Sequence, residues 1–134
     1  MKIKDVYEFL KECGTFYYAT CDGDKPRVRP FGFIMLYKDR IYFGMGQQKQ
    51  SFKQTMENPN FEICACHPNG KWIRIRGKAV LDDSQETMDK VFETSPFLTN
   101  LYNEQTGHVL GNFYIEDGVA EIADMMGHFE SCEF

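Results

Sequence analysis

Basic side chains gather between residues 27 and 53 of a chain that is acidic overall, with 20 acidic residues, 15 Lys or Arg residues and a net charge of −5. Arg27 and Arg29 are spaced to point to one face of a strand, and a glycine-containing strand end at residues 44–46 runs into a predicted helix. The start of that helix carries Lys49, Ser51 and Lys53. Cations beside unpaired helix amides are groups that bind a phosphate. From composition alone, a solvated basic face explains the same residues slightly better.

The size and composition of the chain limit its function classes. A length of 134 residues predicts a single domain, residues 1–134, with one core. The 43% hydrophobic content indicates a globular protein, and the negative net charge argues against a nucleic-acid partner. The sequence has neither a long apolar run nor a secretory signal, so we expect no membrane partner and a cytoplasmic location.

Hydrophobic periodicity and turn residues predict the elements that must position the basic cluster. The first half is predicted to contain a helix over residues 6–13 and a three-stranded antiparallel meander over residues 15–21, 27–37 and 40–45. Next come a helix over residues 48–57 and a hairpin of residues 61–67 and 71–81. A capping-box pattern at residues 83–86 predicts a helix to about Glu93.

The last third has weaker patterning. It predicts a short helix over residues 97–102 and a hairpin of residues 112–116 and 118–123, while residues 124–134 have no clear pattern. The sum is a mainly β protein with short helices (α+β), in which six or seven strands favour a closed antiparallel barrel.

The segment at residues 71–79 alternates between two kinds of side chain. Ile73 and Ile75 fall on one face, which we expect to join the core, while Trp72, Arg74 and Arg76 fall on the other. The second face can flank an aromatic anion, or it can be a solvated face with acidic partners across the strand. The segment alone favours the solvated face.

Other residues with chemical potential have plainer explanations. Cys64, Cys66 and His67 lack a second cluster at metal-ligand spacing, so we predict free thiols and no metal site. His108 falls in a weakly patterned region, where an exposed loop histidine is expected more often than a proton donor.

The order of several motifs resembles one family, the FMN-binding split β-barrel proteins related to pyridoxamine 5′-phosphate oxidase, especially their small single-domain members. The resemblance spans nearly the whole chain. It rests on Arg-Val-Arg-Pro-Phe-Gly-Phe from Arg27, Ile-Tyr-Phe-Gly from Ile41, Lys-x-Ser-x-Lys from Lys49, Glu-Asn-Pro-Asn from Glu57, Trp-Ile-Arg-Ile-Arg-Gly-Lys-Ala from Trp72, and Phe-Tyr-Ile-x-x-Gly-x-Ala-Glu-Ile from Phe113.

The resemblance implies an antiparallel split barrel that holds FMN in a groove at a homodimer interface. For the cofactor phosphate, it implicates Arg27, Arg29, Lys49, Ser51 and Lys53. For the edge of the flavin ring, it implicates Pro30, Phe31, Gly32, Met45, Gly46 and Gln47, with Trp72 and Arg74 or the C-terminal segment approaching from the partner chain.

Departures from the family pattern shape the expected activity. The pyridoxamine oxidases have a Lys where this chain has Ile34, a Lys where Ser51 falls, and a C-terminal Arg-x-His segment that this chain lacks. We therefore do not expect oxidation of pyridoxamine phosphate.

The cofactor of this family supplies the redox chemistry. The leading hypothesis is an FMN-dependent oxidoreductase that passes electrons from a reduced nicotinamide to a nitro compound, quinone or free flavin, with no catalytic residue assigned. The alternatives are a non-catalytic FMN carrier or sensor and a relative that binds haem or a deazaflavin, although haem should require an axial His in the groove and none is evident beside Arg27, Lys49 or Trp72.

Overall fold

Eight strands, three α-helices and one 3₁₀ helix follow one another along the chain in a computed structural model that describes all 134 residues. The α-helices are α1 (Ile3–Cys13), α2 (Gln50–Glu57) and α3 (Gln85–Thr94), and the 3₁₀ helix is Pro96–Asn100. The strands are β1 (Phe16–Asp22), β2 (Lys25–Phe31), β3 (Ile34–Tyr37), β4 (Arg40–Gly46), β5 (Asn60–Cys66), β6 (Trp72–Leu81), β7 (Leu110–Ala123) and β8 (Phe129–Glu133). No helix has the length and hydrophobicity needed to span a membrane.

All strand pairs are antiparallel, in the order β2-β1-β5-β6-β7-β4-β3, with β8 also pairing with β7. This arrangement is the predicted split barrel, and it confirms the fold class. The count is eight strands rather than six or seven, and the order ends at β2 and β3, so the expectation of a closed barrel is wrong.

The predicted strand over residues 27–37 is two strands. β2 pairs with β1, whereas β3 pairs with β4 at the opposite end of the strand order. Gly32 and Phe33 separate them, and Gly32 has open space around its α-carbon. The three-stranded meander is therefore two hairpins, and this break is the point at which the barrel is split.

The predicted hairpin near Asp117 is one continuous strand, β7. The register shifts there, because Arg76 pairs with Val119 and Lys78 pairs with Glu116, which leaves Gly77 opposite two residues. A side chain on Gly77 would lie 2.9 Å from the carbonyl oxygen of Glu116, so the bulge requires glycine at this position. The Asp-Gly pair marks a bulge rather than a turn.

The tail without a clear pattern continues the sheet. Residues 129–133 form β8, which runs back along residues 119–123 of β7. The carboxylate of Asp124 stabilises the connecting turn by accepting hydrogen bonds from the amides of Met126 and His128, both at 2.9 Å. Gly127 has a φ of +91° in this turn, a conformation that favours glycine.

Two hydrophobic clusters lie on opposite faces of the sheet. The larger fills the barrel and includes Val6 and Leu10 of α1, as the helical spacing predicts, together with Ile73 and Ile75. The smaller lies between β4 and α3 and is built around Met35, Tyr42, Val91 and Leu110. Ser84, rather than Asp83, caps α3 by accepting a hydrogen bond from the Thr87 amide at 3.3 Å.

Candidate functional site

β2 places its two arginines beside α2. In the register, Arg27 lies opposite Thr20 and Arg29 lies opposite Tyr18. Residues directly opposite on antiparallel strands point to the same face, and Thr20 and Tyr18 are both buried. Both arginines therefore point to the inner face, as their alternate spacing predicts, but β2 is an edge strand and its side chains reach past the core.

The Arg29 guanidinium group is half-buried and bonds only to neutral oxygens. It donates to the Tyr18 carbonyl at 3.2 Å, to Thr20 Oγ1 at 2.8 Å and to Gln54 Oε1 at 2.7 Å. No carboxylate lies within 4.0 Å of Arg29. Burial lowers the pKa of this group. The interaction with Tyr18 raises it, and the neighbouring charge of Arg27 lowers it further. A half-buried cation without a counter-ion is a binding element for an anion.

The first turn of α2 is the second element of the site. Its N-cap residue, Lys49, provides no side-chain cap, and no acidic residue lies in the first turn. The first amides of a helix have no intrahelical partner, so this end carries free donors and the positive end of the helix dipole. Ser51 is 4% exposed, and its hydroxyl has no hydrogen-bond partner.

A glutamine joins the two elements. Gln54 Oε1 accepts hydrogen bonds from both Arg29 and the Thr20 hydroxyl, each at 2.7 Å, and Gln54 lies one helical turn after Ser51. Lys49 and Lys53 are one turn apart on the same helix and have no carboxylate within 4.0 Å. We call Arg27, Arg29, Lys49, Ser51 and Lys53 the basic cluster.

A cavity of about 390 Å³, the central groove, begins at the end of β2. Five of its lining residues are among those predicted for the site, namely Pro30, Phe31, Gly32, Met45 and Lys49. Lys49 belongs to both the groove and the basic cluster, so the two are continuous. The ring of Phe31 stacks on Tyr18 at 5.1 Å, which fixes this wall of the groove to the barrel core.

The other predicted ring-edge residues are less directly placed. Gly46 and Gln47 follow Met45 but do not line the groove. Gly46 is buried, and Gln47 is exposed with its amide donating to the Val109 carbonyl at 2.8 Å.

Trp72 and Arg74 lie on the opposite face of the sheet from the basic cluster. Arg74 pairs with Cys64, which pairs in turn with Tyr17, and these side chains point outward. Arg74 and Arg76 both contact the carboxylate of Glu121, at 3.4 and 2.5 Å. This is the solvated face with an acidic partner that the sequence pattern favours. Within one chain, the structure does not bring these residues to the groove.

The opposite wall of the groove was missed by the sequence analysis. Phe33, just before β3, and Gly44 of β4 form one part of this wall. The segment after α3 forms the rest, through Ser95, Phe97, Leu98 and Tyr102. Phe97 is 65% exposed. The apolar residues Phe97, Leu98 and Tyr102 in a weakly patterned segment are the one sequence signal that could have indicated this wall.

The chain is similar to a known protein family. Residues 3–113 match the family described as pyridoxamine 5′-phosphate oxidase. The chain belongs to that family. The resemblance inferred from the order of the motifs is thus confirmed, and the basic cluster and central groove both lie within the matched residues. No curated protein matches the chain.

Several solved structures are similar to this chain. A crystal structure of a NimC/NimA family protein from Clostridium acetobutylicum shares 38% identity and a TM-score of 0.91, over 98% of this chain and 92% of that one. An FMN-binding protein from Nostoc punctiforme, related to pyridoxamine 5′-phosphate oxidase, has 12% identity and a TM-score of 0.61, over 98% and 95%. A heme binding protein from Mycobacterium smegmatis has 8% identity and a TM-score of 0.74, over 98% and 57%. The last two show the fold alone.

Proposed function

We propose that the chain binds FMN, with the phosphate at the basic cluster and the flavin ring in the central groove. The observation that carries this proposal is the half-buried Arg29 guanidinium, which has no anionic partner and lies beside an uncapped helix start. A phosphate dianion provides the missing counter-charge, and it accepts several charge-assisted hydrogen bonds at once.

The orphaned hydroxyl of Ser51 supports the same assignment. A buried polar group without a partner costs about 1–3 kcal/mol, and binding of an acceptor at this point recovers that cost. Lys49 and Lys53 add charge on the same side of α2, and Arg27 adds it from β2. The residues present therefore fit the phosphate end of the cofactor.

The groove suits the ring end. Six of the eleven lining residues are apolar or aromatic, namely Phe31, Phe33, Met45, Phe97, Leu98 and Tyr102. Such a lining excludes water from a planar ring, and the open space around Gly32 leaves room for close approach of the ring to the backbone. These residues bind and orient; none of them is placed as a dedicated acid or base.

We infer an oxidoreductase activity in which bound FMN carries electrons from a reduced nicotinamide to a small acceptor, such as a quinone, nitro compound or free flavin. One of the similar solved structures is described as an FMN-binding protein. That similarity supports FMN as the cofactor, but not the reaction. A non-catalytic carrier remains the alternative function. For haem, the groove lining offers Tyr102 and Met45 but no histidine or cysteine as an axial ligand.

We also propose that the functional unit is a homodimer formed through the outer face of the sheet. That face exposes apolar side chains, including Tyr17 at 50%, Val28 at 66% and Phe129 at 61%. Exposed apolar residues on one sheet face are typical of an interface between copies. A dimer is also the only route by which Trp72 and Arg74, on this outer face, approach a flavin. A monomer in analytical ultracentrifugation would contradict this assembly.

The test of the cofactor is the visible spectrum of the purified protein, before and after addition of FMN, with mass spectrometry of the small molecule released by denaturation. A two-band flavin spectrum and released FMN support the proposal. A colourless protein that does not bind added FMN contradicts it, and a Soret band would indicate haem. Anaerobic bleaching by NADH or NADPH then separates an enzyme from a carrier.

The matched variants for this test are Arg29→Ala and Arg40→Ala. Arg40 is an exposed arginine on β4 whose guanidinium group packs 4.0 Å from the centre of the Tyr114 ring, outside the basic cluster. The spectrum of bound FMN should be lost at low protein concentration only in Arg29→Ala. Loss in both variants would point to a general effect of removing positive charge.

A further inference from the structure

A second cavity of about 350 Å³ adjoins the central groove. It lies where α3, the segment after the 3₁₀ helix and the start of β7 meet. Tyr102 lines both cavities, so it forms the shared wall between them. A molecule in the second cavity therefore lies beside whatever occupies the groove.

The lining of this second cavity is mostly apolar and contains no lysine or arginine. Its apolar residues are Met88, Phe92, Tyr102, Val109 and Leu110. Its charged side chain is Glu104, and His108 lies nearby on the same lining. The Lys and Arg residues of the site are instead all on the groove and α2 side. An anionic ligand in this cavity would meet the Glu104 carboxylate and no Lys or Arg side chain, which is unfavourable.

We propose that this second cavity binds the electron acceptor, and that the acceptor is a neutral planar aromatic of the quinone class rather than an anionic one such as a phosphorylated flavin. The proposal rests on the proposed function and narrows its acceptor. In the overall reaction the reduced nicotinamide loses a hydride, the quinone gains that hydride and one proton from water, and the products are the oxidised nicotinamide and a hydroquinone. The cavity volume accommodates a bicyclic ring.

Tyr102 lines both cavities, so its side chain contacts an acceptor in this cavity as well as the occupant of the groove. Burial raises the pKa of its phenol, and a hydrogen bond from the backbone of Gly46 lowers it. Phe92 and Leu110 contribute flat and branched apolar surface to the same space.

The test uses two redox-inert probes of matched shape, 2-naphthol, which is neutral, and 2-naphthalenesulfonate, which is an anion. Both are titrated into the FMN-loaded protein and into the protein without added FMN, and binding is followed by NMR at the Met88 methyl group and at Val109. We expect saturable shifts at these residues and binding of 2-naphthol about tenfold tighter than that of the sulfonate. Equal affinities, or shifts confined to other surfaces, would overturn the assignment.

The Val109→Trp variant fills the cavity from its exposed rim. Val109 is 52% exposed, and its contact with Gln47 is through the backbone carbonyl, so the fold should tolerate the larger side chain. We expect about a tenfold loss of 2-naphthol binding and a similar rise in the KM for tetramethyl-1,4-benzoquinone, which does not alkylate thiols readily. Unchanged naphthol binding in this variant would overturn the proposal.

A charge change sharpens the result. Glu104→Lys should tighten binding of 2-naphthalenesulfonate relative to Glu104→Gln, which removes the negative charge without adding a positive one. No difference between these two variants would place the probe elsewhere. FMN affinity, measured separately in every variant, should remain that of the wild type. Loss of FMN binding in the wild-type protein itself would refute the proposed function, whereas normal FMN binding with no probe selectivity would refute only the acceptor cavity.

Discussion

Two strands of this protein carry arginines at alternate positions, and their surroundings differ. On β6, Arg74 and Arg76 share the carboxylate of Glu121 on the outer face. On β2, Arg27 and Arg29 point to the inner face, and Arg29 bonds only to neutral oxygens. The sequence pattern is the same in both strands, so the presence or absence of a neighbouring carboxylate separates a solvated charged face from a candidate anion site.

The largest expected effect is on FMN affinity and comes from Arg29, the arginine without a carboxylate partner. Arg29→Ala should raise the dissociation constant of FMN by about 10- to 100-fold, because it removes a charge-assisted hydrogen bond worth about 1.5–3 kcal/mol. Arg76→Ala should leave FMN affinity within a factor of about two. Isothermal titration calorimetry of both variants measures the difference.

Arg29 also holds Thr20 and Gln54, so a loss of FMN binding must be separated from a loss of structure. Arg29→Lys keeps the positive charge but not the planar guanidinium group, and thermal unfolding of the FMN-free proteins reports any structural damage. Equal loss of FMN affinity in Arg29→Ala and Arg76→Ala would remove the distinction between the two strands.

Asp82 is the opposite of Arg29, because it is a carboxylate that accepts several hydrogen bonds and has no cation beside it. Asp82 Oδ2 accepts hydrogen bonds from Tyr42 at 2.8 Å and from Thr87 at 2.7 Å, and Oδ1 accepts from the Ser84 amide at 3.1 Å. Burial raises the pKa of Asp82, but the hydrogen bonds from Thr87, Ser84 and Tyr42 outweigh it and lower the pKa to about 2. Asp82→Asn should destabilise the protein by about 1–2 kcal/mol.

The pH dependence of this effect has a definite sign. An aspartate in an unfolded chain has a pKa of about 3.9, so the stability contributed by Asp82 is fully present above about pH 4 and is lost as the pH falls toward 2. Urea unfolding between pH 6 and pH 2, in wild type and Asp82→Asn, should show curves that converge at the acid end. A constant difference across that range would exclude Asp82 as the source.

Ser51 tests the helix start. Ser51→Ala should leave the free energy of unfolding of the FMN-free protein unchanged or slightly increased, because the buried hydroxyl has no partner to lose. The same variant should weaken FMN binding by about three- to tenfold, the cost of one neutral hydrogen bond of about 0.5–1.5 kcal/mol. A clear loss of stability without FMN would show that the hydroxyl has a structural partner in solution.

The smallest effect is expected on the free energy of unfolding when Glu121, the shared partner of Arg74 and Arg76, is replaced. Glu121→Gln leaves Arg74 and Arg76, which are each about half exposed, without their counter-ion. The free energy of unfolding should fall by less than about 1 kcal/mol, because exposed ion pairs contribute little. Chemical denaturation at protein concentrations where the chain is monomeric measures the change, and a loss above about 1 kcal/mol there would contradict an exposed ion pair.

Local patterns predicted the parts of the fold that local physics determines. Helical spacing gave α1 with Val6 and Leu10 inside, and alternation gave the buried face of β6. Strand periodicity placed Arg27 and Arg29 on one face, as the register with β1 shows, but only the family resemblance favoured a phosphate site there, and the basic cluster stays a prediction. The family could be recognised because its motifs extend over most of the chain in a fixed order.

The errors arose where pairing between distant residues decides the structure. Residues 27–37 were predicted as one strand, although Pro30 and Gly32 interrupt the strand pattern, and their different partners, β1 and β4, divide them. Asp117 and Gly118 have the composition of a hairpin turn, but Gly77 on the neighbouring strand makes them a bulge. The groove wall around Phe97 and Tyr102 lies in a short 3₁₀ helix, Pro96–Asn100, and the loop after it, where the weak pattern predicted a helix over residues 97–102 but no part in a site.

The phosphate itself provides the most direct test of the basic cluster. The dissociation constants of FMN and of riboflavin, which is the same flavin without the phosphate, should be measured side by side for wild type and Arg29→Ala. We expect wild type to bind FMN at least about 100-fold more tightly than riboflavin, and most of this preference to disappear in Arg29→Ala. Equal affinity of the wild-type protein for the two flavins would contradict the assignment of the basic cluster to the phosphate.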